Sequence, residues 1–108
     1  MDRFSEELQR HIETVERIGD KIENGENYME DMKGYLPALN QMMTGIFQIL
    51  QEPASPLGLN QGYVVQVLND ILYGIEHRDS VFLLDVLRYG LLEIYHFLEK
   101  ELQSEGVQ

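Results

Sequence analysis

The last long stretch of the chain, from Asp79 to about Gln103, constrains the fold most. At helical spacing its Leu83, Leu84, Val86, Leu87, Leu91, Ile94, Phe97, Leu98 and Leu102 fall on one arc of roughly 160°, wider than a helix resting on a single surface needs. Such a helix has to be wrapped on several sides, and the rest of the chain reads as the helices that wrap it.

Helix 1 is expected over about 3–24. Phe4, Leu8, Ile12, Val15, Ile18 and Ile22 recur at intervals of three and four, with Glu6, Glu7, Arg10, Glu13, Glu16 and Arg17 on the opposite face. Asn24-Gly25 supplies a left-handed helix stop, and Asn27 followed by Glu30 has the spacing of a capping box for the next helix. Helix 2, about 28–51, carries Met29, Met32, Leu36, Leu39, Met43, Ile46 and Leu50 in a phase that Pro37 does not interrupt. One helix kinked near Pro37 is therefore expected, because proline frees the Lys33 carbonyl and Gly34 lets the backbone bend. The alternative ends a short helix at Tyr35 and begins another with Pro37 in its first turn.

Pro53, Pro56 and Gly58 mark the one linker. Helix 3 is expected next, at about 60–77, with Tyr63, Val64, Val67, Leu68, Ile71, Leu72 and Ile75 inward, and Arg78-Asp79 turns the chain into helix 4 at 80–103, with Asp79 as its N-cap. The expectation is all-α: an antiparallel up-down four-helix bundle, helix 2 kinked near Pro37, forming one domain over 1–103 with a frayed tail at 104–108.

Composition narrows the function classes. Across 108 residues there is no cysteine, which removes disulfides, thiol catalysis and thiolate metal sites. Eight basic against nineteen acidic residues give a net charge of −11, so a phosphate backbone or an anionic membrane surface is repelled on average. No run approaches the ~20 apolar residues of a membrane span, and no signal core opens the chain. A cytoplasmic bacterial protein that binds neither nucleic acid nor membrane is expected, without a cofactor.

The residues that carry chemistry are few. Glu93-Ile94-Tyr95-His96 is a Glu-x-x-His unit, the spacing that places a carboxylate and an imidazole on one metal in ferritin-like bundles. A di-metal site needs two such units and two further glutamates, whereas here residues 8 and 74, three before His11 and His77, are leucine and glycine. Glu93 and His96 also fall on the polar side of helix 4, so a solvated face is the preferred reading. His11 lies within the apolar stripe of helix 1 and reads as a boundary residue hydrogen-bonded to a neighbour. The tyrosines at 28, 35, 63, 73, 89 and 95 read as packing residues with hydroxyls at the rim of the core. There is no serine beside a base and no glycine-rich phosphate loop, so the chain reads as a non-enzyme.

The most informative feature is an absence of charge. From Pro37 through Asn69 the single charged residue is Glu52, while residues 1–36 contain fifteen. The outward positions there, Asn40, Gln41, Met42, Thr44, Gln48, Gln51, Gln61 and Gln66, are amides, a hydroxyl and a methionine, the composition of a protein contact surface. Phe82, Tyr89 and Leu92 on the outer side of helix 4 are a second candidate patch, and either is suited to closing a homodimer or receiving a partner helix.

The run Asp79-x-x-x-Leu83-x-Asp85-x-Leu87-x-Tyr89-x-Leu91 resembles the last helix of a group of short uncharacterised proteins of Gram-positive bacteria. This chain departs from their pattern with Gly90 in place of an acidic residue and Glu93 in place of proline. The resemblance implies a short all-helical protein and no site residues. At the level of size and fold the chain is also similar to flagellar or secretion export chaperones, which sequester a partner helix. The primary reading is an interaction or structural module; the alternatives are such a chaperone-like binder and a metal-binding bundle using Glu93 and His96.

Overall fold

The computed structural model describes residues 3–50 and 60–106, with side chains described at 3–48 and 60–101. These residues are all-helical: α1 (Arg3–Glu23), α2 (Met29–Leu50), α3 (Gln61–Glu76), and a continuous C-terminal run made of α4 (Ser80–Val86), a π turn (Leu87–Leu91) and α5 (Leu92–Gly106). Counting that run once gives four helices. The expected linker prolines and glycine, Gln51 and the side chains of Leu50 and Leu102 lie outside the described residues. The last helix continues to Gly106, past the expected end at 103.

The helix ends are set by local chemistry. Gly25, at φ 73°, closes α1. Its amide donates to Ile22 O at 3.1 Å and the Glu26 amide to Lys21 O at 2.8 Å, the paired bonds of a Schellman stop. The same motif closes α3, where the Arg78 amide donates to Ile75 O at 3.2 Å and that of Asp79 to Gly74 O at 3.0 Å. Here the left-handed position is held by Arg78 at φ 51°, a conformation that costs a side-chain-bearing residue energy. Asp79 caps α4 by accepting from the Phe82 amide at 3.1 Å, as expected. Asn60 caps α3 through bonds from the Gly62 and Tyr63 amides. The start of α2 differs from expectation: Met32 donates to Tyr28 O, which puts the cap position on Tyr28 rather than Asn27. Pro37 lies inside α2, which runs unbroken through it, so the two-helix alternative does not occur.

One hydrophobic core joins all the helices. Leu8, Ile12, Val15 and Ile18 of α1 meet Met32, Leu39, Met43 and Ile46 of α2, Val64, Val67 and Ile71 of α3, and the C-terminal run. α1 packs on α2, α4, the π turn and α5; α3 packs on α2, α4 and the π turn. Two glycines set close approaches to α3. A methyl group at Gly74 would sit 3.1 Å from Leu83 Cβ, and one at Gly90 would sit 3.3 Å from a Val67 methyl carbon.

The π turn changes which face of the last helix is inside. Leu83, Leu87, Leu91, Tyr95 and Leu98 are all buried, at intervals of four, four, four and three. Four ideal turns take up ~14.4 residues, and a regular helix would carry such a row off the core. The extra residue of the π turn rotates the remainder of the helix by up to one residue step, about 100°, and holds the row in register. Leu92 and Tyr95 consequently turn inward, while Leu84 and Phe97, expected in the core arc, are half-buried.

Candidate interaction surface and the polar chain through the core

The charge-poor face predicted on helix 2 is partly a surface. Asn40, Gln41, Thr44 and Gln48 are exposed on α2 and Gln66 is exposed on α3. Two of them are engaged within the chain: Thr44 Oγ1 donates to Asn40 O at 2.9 Å, and Gln66 Nε2 donates to Asp70 Oδ1 at 2.9 Å. Met42, expected outward, is buried in the core and is removed from the surface set. α2 presents a wider apolar face than the three-four row from Met29 suggests, with Tyr35, Met42 and Met43 all inside.

The second candidate patch is corrected in the same way. Leu92, expected on the outer side of the last helix, is buried because the π turn precedes it. Phe82 is half-buried and packs edge-on against Tyr73, ring centroids 5.5 Å apart. Of that trio only Tyr89 stands fully out, 68% exposed, and its backbone carbonyl accepts from Tyr63 Oη at 3.4 Å.

α3 carries an exposed apolar stripe that includes Leu72, a residue expected inward. Leu72 is 53% exposed and Val65 41%, seven residues apart, with half-buried Leu68 and Ile75 beside them. The set Val65, Leu68, Leu72, Ile75 repeats at three, four and three, the spacing of a helix that meets another helix. It is rotated to one side of the buried row Val64, Val67, Ile71 and Gly74 that faces the core. Tyr63, also expected inward, is 43% exposed. The signal was present in the sequence, since Val64-Val65 and Ile71-Leu72 are adjacent apolar pairs and a single helix face cannot bury both members of each pair fully.

Glu93 and His96 are both exposed, and His96 Nδ1 lies 3.5 Å from Glu99 Oε1 on the next turn. Among the described residues no group of three or more histidine, aspartate or glutamate side chains is placed to hold a metal ion. His96 instead edges a groove of about 490 Å³ between α1 and the last helix, with Glu16, Asp20 and Arg88 along it. The Arg88 guanidinium there is occupied by a two-pronged pairing to Glu23, both contacts at 3.1 Å, and a longer one to Asp20 at 3.4 Å. That pairing lowers the Glu23 carboxyl from its ordinary range.

Among the described residues, a polar chain runs into the core. Tyr95 of α5 is fully buried, and its hydroxyl lies 2.8 Å from the Tyr35 hydroxyl of α2. That hydroxyl in turn lies 2.6 Å from His11 Nδ1 on α1, and the His11 ring meets both tyrosines edge-on at centroid distances of 5.4 and 5.8 Å. Burial lowers the His11 pKa below the ordinary 6.5, with Glu7 pulling upward and Arg10 downward as lesser influences. Burial also pushes the Tyr35 phenol up to about 12 and raises Tyr95 further. Burial thus favours the uncharged imidazole, and where its Nδ1 is unprotonated Tyr35 donates to Nδ1 and Tyr95 donates to Tyr35. Both phenol hydrogens then have an acceptor, and so does Nδ1 a donor. The boundary role expected of His11 fits this position, whereas rim hydroxyls do not describe Tyr35 and Tyr95, whose hydroxyls are interior.

No helix among the described residues is long and apolar enough to cross a membrane. No protein-family model, curated protein or solved structure matches the chain.

Proposed function

We propose that the chain is a non-enzymatic interaction module, an antiparallel up-down bundle with α2 bent near Pro37, that pairs with a second copy of itself through α3 and the adjoining face of α2. The observation that carries this reading is the α3 stripe, in which Val65 and Leu72 remain 41% and 53% exposed at heptad spacing. Charge selects the occupant. Two chains of net charge −11 repel, and the segment from Gln61 through Asn69, like Asn40, Gln41, Thr44 and Gln48 of α2, is where carboxylates are missing.

An antiparallel meeting of two α3 helices about a two-fold axis near Leu68 and Asn69 sets Val65 of each copy against Leu72 of the other. The same pairing sets Glu76 against the neutral Gln61. A parallel meeting sets Glu76 against Glu76 and is disfavoured. Residues placed to take part on α2 are Asn40, Gln41, Thr44 and Gln48, with Gln66 at the border of the α3 stripe.

Light scattering across a tenfold concentration range tests this. The expected result is a dimer for the native chain and a monomer of unchanged helicity for Leu72→Glu. A native monomer throughout, or a Leu72→Glu protein that keeps the native mass, overturns it.

A further inference from the structure

We propose that the His11–Tyr35–Tyr95 chain is an acid-sensitive latch, in which one proton added at His11 reverses its hydrogen bonds, strands the Tyr95 hydroxyl in the core and loosens α1 from α2 and α5. This does not depend on self-association. The geometry supplies the switch. Three side chains from three helices form a single file, with 2.6 Å from His11 Nδ1 to Tyr35 Oη and 2.8 Å from there to Tyr95 Oη. A phenol has one hydrogen to donate, so the file has a direction. With neutral His11 in its Nε2–H form, donation runs from Tyr95 to Tyr35 to Nδ1.

A protonated imidazole carries hydrogen on Nδ1 as well and must donate to Tyr35. Tyr35 then turns its own hydrogen to Tyr95, and Tyr95, fully buried, has a hydrogen with no acceptor in the file. An unmade hydrogen bond in that position is a penalty that exposed histidines do not meet. The groups facing His11 do little to offset it. On α1 itself Glu7 favours the charged ring and Arg10 opposes it, while from α2 and α5 the ring meets the two phenols, both uncharged through the relevant range because burial raises them.

Linkage gives the sign. A histidine whose folded pKa lies below its unfolded 6.5 binds its proton less readily when folded, so stability is full above 6.5 and falls as pH drops through that value to the folded pKa.

Nitrogen-15 spectra of histidine-labelled protein, followed from pH 8 to 5, read the latch directly. The expected result is an Nε2–H tautomer for His11 at neutral pH, a titration below 6.5, and an upward move of that titration in Tyr35→Phe. In parallel, the urea midpoint of the native chain falls between pH 7.5 and 5.5, and that of His11→Gln falls less. An Nδ1–H tautomer at neutral pH, a titration at or above 6.5, or equal pH dependence in native and His11→Gln protein overturns the proposal. If His11→Gln does not fold, the native tautomer and titration still decide.

Discussion

Replacing Tyr35 by phenylalanine removes one oxygen from the middle of a polar chain, and the structure sets what that costs. The ring stays and its packing is unchanged, so the cavity left is one oxygen wide. Two hydrogen bonds go, to His11 at 2.6 Å and to Tyr95 at 2.8 Å. The two ends differ in what replaces them. His11 is half-buried and gains water, leaving little of the ~1 kcal/mol net value of its bond to lose. Tyr95 is fully buried, and its hydroxyl is left with neither donor nor acceptor, at about 1–3 kcal/mol.

Tyr35→Phe should therefore destabilise by ~1–3 kcal/mol. The companion double variant, Tyr35→Phe with Tyr95→Phe, takes away the stranded hydroxyl as well and should be less destabilised than the sum of the two singles, with a coupling of about 1–2 kcal/mol. Urea unfolding monitored by circular dichroism gives these values, provided the slope with denaturant is the same in all four proteins. A Tyr35→Phe cost under ~0.5 kcal/mol, or strictly additive singles, refutes the reasoning.

The remaining stability predictions test the last helix and its approach. Leu87 is fully buried at the start of the π turn, and Leu87→Ala should cost about 2–5 kcal/mol in the same urea experiment. A cost near zero contradicts the assigned core. Arg78 holds a left-handed conformation at φ 51° without the freedom of glycine, so Arg78→Gly should raise stability by up to ~1 kcal/mol despite removing a charge. Thermal melts read this as a higher midpoint, and a lower one contradicts the Schellman geometry at that corner.

Most of the helical skeleton could be read from residue order because its signals are local. Gly25 stops α1, Asp79 caps α4, and the three-four rows of α1 and, from Met32 to Ile46, of α2 lie on their buried faces. Past Leu91 the expected Ile94 and Leu98 are buried, but the inward turn of Leu92 and Tyr95 was not legible in that way. Whether a run of intervals of four is absorbed by a π turn or allowed to drift off the core depends on what α1 and α2 offer opposite it. That tertiary choice sends Leu92 and Tyr95 inward and leaves Phe97 at the edge.

The polar chain was hidden for the same reason: Tyr35 and His11 each suggested a boundary side chain, and the inward-turned Tyr95 links them to the core. On α3 the apolar pattern suggested one broad face turned wholly to the core. With α2 on one side and α4 on another, Val64, Val67 and Ile71 fill the available contact, and Leu72, expected inward, is left outside beside Val65. The charge-poor stretch was visible in composition, but Met42 shows that lack of charge alone does not distinguish an outer face from a wide inner one.

Disulfide trapping at one position tests the central claim most directly, because the chain has no cysteine to interfere. Asn69→Cys places a thiol on the exposed side of α3, beside the proposed two-fold axis. Mild oxidation of dilute protein should convert this variant to a covalent dimer, while Glu13→Cys on the acidic face of α1 remains monomeric. Equal trapping at both positions, or none at Asn69→Cys, contradicts pairing through α3.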